Sequence, residues 1–319
     1  METLVLTRKE IESLVTMREA MIAVEEAFRL YANSKALMPP KIYLDLEEGD
    51  FRAMPSAMMG YAGVKWVNSH PKNPEKGLPT VMAVYVLNDA SNGFPLAIMD
   101  ATYITSLRTG AGGGVAMKFL ARKNSKVFGF IGCGKQAIFQ LLAAKEIFDL
   151  ELVKAFDISE RASREFKEFC EKNGVECILT SPKEVCDCDV LITTTPSRKP
   201  VVKNEWIREG THINAIGADA PGKQELEVEI LKRAKIVVDD LEQALHGGEV
   251  NVAHSMGLIR REDIYATLGE VVSGIKKGRE GEEVTIFDST GLAIQDIAVA
   301  RIVYEKAVEK GLGMRIELL

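Results

Sequence analysis

The sequence predicts an α/β fold, in which a doubly wound parallel sheet is inserted in a second, α+β domain. Three observations predict it. From about residue 116 to 290, apolar strand-like runs alternate with helical runs, which is typical of parallel βαβ units with helices on both sheet faces. Before this block, strand-like runs follow one another without intervening helices, which indicates an antiparallel or mixed sheet. After it come one helix and one strand, so the carboxyl end can return to complete the first domain.

The first elements along the chain have helical signatures. Thr7 with Glu10, and Thr16 with Glu19, each form a capping-box pattern ahead of apolar residues at helical spacing. Two prolines at positions 39 and 40 then end the helical stretch. From residue 41 to about 100, the runs KIYLDL, YAGVKWV, TVMAVYVLN and PLAIMD predict strands separated by turns.

Lys65, in the run YAGVKWV, is a cation in an otherwise apolar strand. Side chains alternate between the two faces of a strand, so Gly63, Lys65 and Val67 share one face, and the small Gly63 would leave room for a substrate. Two interpretations remain open. Either Lys65 extends its charged end to water, or the chain keeps an amine in a sheltered place because it needs one there.

Composition excludes several classes of function. The 319 residues suffice for two domains, and a net charge of -6 without a long basic block gives no support for nucleic-acid binding. No apolar run is long enough to span a membrane, and the amino terminus lacks a signal-peptide pattern, so we expect a cytoplasmic protein. Five cysteines without paired spacing and four histidines without a ligand pattern predict no metal site.

A glycine-rich loop, FIGCGKQAIFQ, follows one predicted strand and opens a helix. Gly132, Gly134 and Ala137 give the GxGxxA pattern, in which the glycines permit a tight turn and close approach of a pyrophosphate. Asp157 ends the next strand, where a carboxylate accepts hydrogen bonds from the adenosine ribose and favours NAD over NADP. Arg161 and Arg164 leave an alternative open, because an arginine can bind the 2'-phosphate of NADP.

Two further turns follow apolar strands of the same block. TTTPSRKP contains Thr195, Pro196 and Ser197, and AIGADAPGKQE contains Gly217, Ala218 and Asp219. The carboxyl ends of parallel strands line the ligand crevice of an open sheet. These turns are therefore candidates for contact with cofactor or substrate.

Taken together, these motifs resemble the ornithine cyclodeaminase and mu-crystallin family, and within it the archaeal alanine dehydrogenases. FRAMP, GVKWVNSHP, GLPTVMA, DATYITSLRTGA and TIFDSTGLAIQD also stand in family order. The resemblance implies a homodimer whose subunit has a substrate-binding and dimerisation domain at residues 1–115 plus 293–319. It implies an NAD-binding Rossmann domain at residues 116–292.

The resemblance also implies site residues. Lys41, Arg52, Lys65 and Asp219 would face the nicotinamide, and Arg108 would reach the cofactor phosphates or the substrate carboxylate. Substrate binding would involve Lys41, Arg52, Lys65 and Arg108. With the loop and turn residues above, the implied cofactor-binding set is Thr80, Arg108, Gly132, Gly134, Lys135, Gln136, Asp157, Ile158, Ser159, Thr195, Pro196, Ser197, Gly217, Ala218, Asp219, Lys223, Asp288 and Ser289.

The activity we expect is reversible, NAD-dependent oxidative deamination of L-alanine to pyruvate and ammonia. The family's cyclodeaminases have a glutamate where this chain has Arg52, and a second cation beside Lys41 suits a small amino acid or 2-oxo acid that is mostly carboxylate. Asp219 would orient water or the ammonium. Cyclisation of ornithine to proline, reduction of cyclic ketimines and a non-catalytic dinucleotide binder remain alternatives.

Lys65 is the expected acid-base group. Burial and the cationic neighbours Arg52 and Lys41 would lower its pKa toward neutrality. Arg52 and Lys41 would hold the substrate carboxylate. The alternative is that these two cations form ion pairs with Asp45 or Glu47 on the sheet surface.

Overall fold

The structure, a computed structural model, describes residues 2–318 and divides into two compact units. The terminal unit combines the residues up to Arg108 with those from Leu292 onward, and the central unit comprises Thr109–Gly291. The sequence places these boundaries near residues 115 and 293. The assignment of one unit to the substrate and the other to NAD stays a prediction.

The elements have the following bounds. The strands are β1 (Thr3–Leu6), β2 (Ala36–Leu37), β3 (Ile42–Leu46), β4 (Gly49–Met58), β5 (Tyr61–Ser69), β6 (Ala83–Asp89), β7 (Pro95–Asp100), β8 (Val127–Ile131), β9 (Leu152–Phe156), β10 (Glu176–Leu179), β11 (Val190–Thr193), β12 (His212–Ala215), β13 (Lys235–Val238), β14 (Ala266–Thr267), β15 (Thr285–Asp288) and β16 (Met314–Ile316). The helices are α1 (Arg8–Leu14), α2 (Met17–Ala32), α3 (Thr102–Leu120), α4 (Lys135–Lys145), α5 (Glu160–Lys172), α6 (Pro182–Val185), α7 (Val228–Arg233), α8 (Leu241–Gly247), α9 (Asn251–Ser255), α10 (Leu268–Val272) and α11 (Ala293–Lys310).

Both predicted capping boxes are present. At the start of α2, the Glu19 side chain accepts a hydrogen bond from the Thr16 backbone N–H at 3.0 Å, and Thr16 Oγ1 accepts from the Glu19 N–H. The sequence did not predict β1, which precedes α1 and contributes the buried Leu4 and Leu6. It lies between β16, to which it is antiparallel, and β7, to which it is parallel.

The terminal unit is built on a mixed sheet. Within residues 2–318 its strand order is β16-β1-β7-β6-β5-β4-β2, with β3 paired to β4. Helix α11 packs on β4, β5 and α2. Ser56 Oγ of β4 donates to the Ala293 carbonyl at 3.0 Å and so fixes the first turn of α11 on the sheet. The carboxyl end therefore returns to complete this unit.

The central unit is built on a parallel sheet, as the alternation of strands and helices predicts. The order among the described strands is β10-β9-β8-β11-β12-β15-β13-β14, and every adjacent pair is parallel. The chain proceeds outward from β8 in one direction and then resumes at β11 on its other side. This reversal is the feature of a doubly wound Rossmann sheet, and it marks the crevice at the carboxyl ends of β8 and β11.

The described residues contain neither a membrane-spanning helix nor a disulfide bond. Between residues 2 and 318, none of the helices combines the length and the apolar character that crossing a membrane requires. All five cysteines are free thiols with buried side chains.

Candidate active site

Lys65 is buried inside the terminal unit. Its side chain is 0% exposed, whereas Trp66, the next residue on β5, is 44% exposed on the opposite face. The first of the two interpretations, that Lys65 extends its charged end to water, is therefore wrong. The strand instead turns the lysine toward the face on which α11 packs.

The Lys65 ammonium lies against a carboxylate that is also completely buried. Its Nζ is 2.9 Å from Asp296 Oδ1 and 2.8 Å from Oδ2. Arg108 Nε donates to Asp296 Oδ1 at 3.0 Å, and Arg108 Nη1 donates to Gln295 Oε1 at 2.9 Å. When Lys65 is protonated, two cations thus share one anion, and the cluster then carries an excess of positive charge.

The surroundings of Lys65 bring its proton exchange into the neutral range. Burial lowers the pKa of Lys65 to about 7, and the nearby charges of Arg108 and Lys41 act in the same direction while Asp296 opposes them. The main cationic neighbour is therefore Arg108, with a smaller effect of Lys41. Of the two cations expected in this role, Lys41 contributes, and the larger effect comes from Arg108, which the sequence did not suggest for it.

Arg52 is engaged elsewhere on the sheet. Its Nε donates to Asp50 Oδ1 at 2.7 Å, and its guanidinium lies 5.5 Å from the centre of the Tyr43 ring. The carboxylate that binds Arg52 Nε is that of Asp50, on the same strand. Only a small part of the Arg52 side chain, 12%, is exposed, so the guanidinium is held in one orientation by neighbours on β3 and β4.

Gly63 does not leave room for a substrate. A Cβ atom at this position would lie 2.6 Å from Tyr85 Cε1 and 2.7 Å from its hydroxyl. Tyr85 is 0% exposed and stands opposite Lys65 in the pairing of β5 with β6. The absence of a side chain at Gly63 therefore accommodates the tyrosine, whose hydroxyl lies in the same buried region as Asp296.

The sequence reasoning missed Asp296 and Gln295. Both lie in the first turn of α11, where Gln295 Oε1 also accepts from the Leu292 N–H at 2.8 Å. The signal was present: AIQDIAVA places two polar residues in an apolar helical run, and buried polar residues usually have specific partners. The partner of Asp296 is Lys65, and because the two residues are 231 positions apart in the sequence, no local pattern relates them.

In the central unit, the glycine loop has the geometry that a dinucleotide requires. Gly132 has φ of +92°, and a Cβ atom there would lie 2.9 Å from Thr194 Oγ1. A Cβ atom at Gly134 would meet nothing within 4 Å, so the loop is open in front of α4. Gln136 Oε1 is buried without a hydrogen-bond partner among the described residues. The first turn of α4 thus combines free space, N–H groups and the positive end of a helix dipole, which suit a pyrophosphate.

Asp157 lies at the carboxyl end of β9, where a ribose is expected. Its Oδ2 accepts from the Cys133 N–H and its Oδ1 from the Ser159 N–H, both at 2.8 Å. A cavity of about 410 Å³ adjoins it, lined in part by Leu179 and Thr180. These features fit the adenosine half of NAD.

Arg161 and Arg164, which left NADP binding as an alternative, form ordinary ion pairs within helix α5. Arg161 Nε donates to Glu165 at 2.7 Å, and Arg164 Nη2 donates to Glu160 at 2.7 Å. Both side chains are largely exposed on α5. Their partners are those of a solvated helix face.

The turns after β11 and β12 are joined by a glutamate that the sequence reasoning did not single out. Glu225 accepts hydrogen bonds from the Thr195 and Gly217 backbone N–H groups at 2.6 and 2.9 Å. Asp219 lies one residue beyond the buried Ala218 and contacts Lys223 Nζ. The structure therefore brings the two predicted turns together.

The remaining predicted site residues have varied surroundings. Lys135 is exposed at the first position of α4, and Ile158 is 95% exposed beyond β9. Ser159 caps α5 by accepting from the Ala162 N–H. Pro196 and Ser197 follow Thr195, and Thr80 lies in the loop between β5 and β6. Asp288 and Ser289, at the end of β15, are buried.

Comparisons with known proteins agree over almost the whole chain. The model of the ornithine cyclodeaminase/mu-crystallin family matches residues 1–311. An alanine dehydrogenase of Archaeoglobus fulgidus is 67% identical over 318 residues, which cover 99% of each chain. The solved structure of an archaeal alanine dehydrogenase dimer with bound NAD has a TM-score of 0.99 at 66% identity and full coverage of both chains. That of Thermococcus litoralis Delta(1)-pyrroline-2-carboxylate reductase, in complex with NADH and L-proline, has a TM-score of 0.96 at 41% identity, covering 98% of this chain and 100% of the other. The chain belongs to the ornithine cyclodeaminase/mu-crystallin family.

Proposed function

We propose that this protein catalyses the reversible oxidative deamination of L-alanine, in which alanine, water and NAD⁺ give pyruvate, ammonium, NADH and a proton. The observation that carries the proposal is the buried Lys65, which shares the Asp296 carboxylate with Arg108 and has a pKa of about 7. The similarity to archaeal alanine dehydrogenase over the full chain supports the choice of substrate. The open glycine loop and Asp157 support NAD as the cofactor.

Lys65 is the acid-base group of this reaction. When bound, NAD accepts the hydride from the substrate Cα. Hydration of the resulting iminium and release of ammonia require protons to move at oxygen and nitrogen. An amine with a pKa near 7 exists in both forms at neutral pH, so Lys65 can take up a proton in one step and return it in another.

Cations of the terminal unit bind the substrate carboxylate. Arg52 is held on the sheet by Asp50, and Lys41 lies close enough to Lys65 to affect its pKa. Arg108 has Nε and Nη1 already bound to Asp296 and Gln295, so its contribution is mainly electrostatic. A small amino acid that offers one carboxylate suits this arrangement better than a diamino acid, whose second ammonium would be repelled.

Residues of the central unit hold the cofactor in this proposal. The pyrophosphate binds at Gly132, Gly134, Lys135 and Gln136, and the adenosine ribose binds at Asp157, Ile158 and Ser159. The turns after β11 and β12 bind the other half of NAD together with Lys223, Asp288 and Ser289, and the proposed cofactor-binding set also includes Thr80 and Arg108. Asp219 orients water or the departing ammonia.

We also propose that the protein is a cytoplasmic homodimer. The dimeric state of the similar archaeal alanine dehydrogenase supports the homodimer. The five free and buried cysteines support the cytoplasmic location, because reduced thiols are usual in the cytoplasm. In this view residues 1–115 plus 293–319 form the substrate-binding and dimerisation domain, and residues 116–292 bind NAD.

A substrate screen followed at 340 nm tests the function. We expect NADH to accumulate with L-alanine and NAD⁺, and to be consumed with pyruvate and ammonia. Lys65→Ala should lower kcat by about 100-fold or more, whereas Lys76→Ala, which removes an exposed lysine of the same unit, should leave it unchanged. Ornithine giving proline without lasting NADH, or activity only on cyclic imines, would refute the proposal.

A further inference from the structure

Four buried carboxyl groups lie beneath the carboxyl ends of the central strands. Glu225, Glu249, Asp288 and Asp239 are each at most 1% exposed. Only Asp288 was predicted as a site residue, and the proposed chemistry uses none of the other three. Buried acidic groups are costly unless they have donors, so the partners of each indicate what it holds in place.

Glu225 holds two turns of neighbouring strands. Its Oε1 accepts from the Thr195 N–H at 2.6 Å, and its Oε2 accepts from the Gly217 N–H at 2.9 Å and from Thr193 Oγ1 at 2.6 Å. Gly217 has no room for a side chain, because a Cβ atom there would lie 2.1 Å from the Thr195 carbonyl oxygen. One carboxylate therefore fixes the ends of β11 and β12 at close contact.

Glu225 is itself held by a second buried acid. Its backbone N–H donates to both oxygens of Glu249, at 2.8 and 2.9 Å, and the Leu226 N–H donates to Oε1 at 2.7 Å. The Glu249 N–H in turn donates to Asp288 Oδ1 at 2.8 Å, and the Val250 N–H donates to Oδ2 at 3.1 Å. Each carboxyl group thus fixes the backbone of the next.

The chain of contacts ends at Asp239. Its backbone N–H donates to the Asp288 carbonyl at 3.0 Å. Its carboxylate accepts from the Thr290 and Gly291 N–H groups, both at 2.7 Å. The carboxyl ends of β11, β12, β13 and β15 are therefore linked through acidic side chains.

This group of acids has no cationic partner for its inner members. Within residues 2–318, Glu225, Glu249 and Asp288 form no ion pair with lysine, arginine or histidine, and their donors are backbone N–H groups and a hydroxyl. Burial and mutual repulsion raise the pKa of Glu249 well above its usual value and that of Asp288 to about 8. Burial raises the pKa of Glu225 as well, but hydrogen bonds from Thr193, Thr195 and Gly217 oppose this shift, so with protons held by Glu249 and Asp288 we assign the negative charge of the group to Glu225.

The position of Glu225 relates it to one half of the dinucleotide. In a doubly wound sheet the two nucleotide halves bind on either side of the strand at which the order reverses. Asp157, after β9, marks the adenosine side, so the turns after β11 and β12 belong to the nicotinamide side. The nicotinamide ring is positively charged when oxidised and neutral when reduced, so a buried anion on that side of the sheet would distinguish the two forms.

We propose that Glu225 is a positioning residue that fixes these two turns for the nicotinamide half of the cofactor and favours its oxidised form. The inference rests on the proposed use of NAD, but not on the identity of the amino acid substrate. Positioning affects the binding of both cofactor forms. The charge affects the oxidised form more than the reduced one.

Dissociation constants for NAD⁺ and NADH, measured by calorimetry on the full-length protein at pH 8, test both parts. Glu225→Gln removes the charge, and we expect the ratio of the NAD⁺ constant to the NADH constant to rise about fivefold or more. Glu225→Asp keeps the charge on a shorter side chain, so both constants should rise while their ratio stays within about twofold of the wild type. Glu229→Gln, an exposed neighbour, should change neither constant.

Several outcomes would overturn the inference. If Glu225→Gln weakens the binding of NAD⁺ and NADH equally, the residue acts only on structure. If neither dissociation constant changes, Glu225 does not position the turns for the cofactor. If Glu225→Gln fails to fold, Glu225→Asp provides the test. A fivefold rise in its ratio of the NAD⁺ to the NADH dissociation constant, although the charge is kept, refutes the role of the charge. Failure of the wild-type protein to bind either form would instead refute the proposed use of NAD itself.

Discussion

Replacement of Asp296 by asparagine tests the electrostatic account of Lys65. The Asp296 carboxylate is 2.8 Å from Lys65 Nζ and 3.0 Å from Arg108 Nε, and all three side chains are buried. At an effective dielectric constant of about 20, a pair of unit charges at about 4 Å attracts by roughly 4 kcal/mol. Since 1.36 kcal/mol corresponds to about one pKa unit, loss of this attraction should lower the pKa of Lys65 by about 2 or more, even after relaxation.

The stability of the variant should depend on pH in a defined direction. Burial already lowers the pKa of Lys65 to about 7 from its usual value of 10.5. A depressed lysine disfavours the folded state at low pH, because folding then expels a proton that the unfolded chain retains. Asp296→Asn lowers the folded-state pKa further, so the loss of unfolding free energy should be larger at pH 6 than at pH 9.

Two measurements follow this change. NMR titration of ¹⁵Nζ-labelled lysines, with Lys65 assigned by its absence in Lys65→Met, gives the pKa directly, and urea unfolding at pH 6 and pH 9 gives the stability. Glu309→Gln removes one negative charge from an exposed position of the same helix and should leave both quantities unchanged. A pKa of Lys65 that is equal or higher in Asp296→Asn would refute the reasoning.

Three further predictions concern the fold and the cofactor. Gly63→Ala should lower the unfolding free energy by about 1–3 kcal/mol through its clash with Tyr85, and an unchanged urea midpoint would contradict this. Asp157→Ser should raise the affinity for NADP relative to NAD by about tenfold or more in calorimetry, since the carboxylate that repels the 2'-phosphate is gone; an unchanged ratio would exclude that role. Asp288→Asn should destabilise the protein more at pH 5 than at pH 8. Burial raises the pKa of Asp288 to about 8, so its contribution to wild-type stability is complete at low pH and is lost as the pH rises through that value. A urea-unfolding difference that grows with pH would contradict this prediction.

Local patterns in the sequence predict much of the fold because they report local energetics. The capping boxes at Thr7 and Thr16 satisfy backbone donors within one helical turn, and the alternation of strands and helices after residue 116 reflects burial on both faces of a parallel sheet. Strand β1 was missed because four residues carry too little periodicity. It forms only through pairing with β7 and β16, which lie far along the chain.

The same holds for the candidate site: local patterns identify some of its residues but not the partners of those residues. Lys65 could be singled out because a lysine in an apolar strand violates a local rule. Its partner could not be, since the contact with Asp296 depends on how α11 packs on β5, which no short segment determines. For Arg52 the partner is close in sequence but was still not predicted. Asp50, which binds its guanidinium, is two residues away on the same strand, and the choice among nearby acids depends on side-chain orientation.

The two units bury charge of opposite sign, and this asymmetry follows from the ligands proposed for them. In the terminal unit, Lys65 and Arg108 share the carboxylate of Asp296, so whenever Lys65 is protonated an excess positive charge remains that a substrate carboxylate can neutralise. In the central unit, the negative charge that we assign to Glu225 has only neutral donors, so the oxidised nicotinamide would neutralise it. Burial of an uncompensated charge costs several kcal/mol in a folded protein. Ligands that restore the balance should therefore stabilise this fold, and NAD⁺, which carries the missing positive charge, should stabilise it more than NADH at equal occupancy.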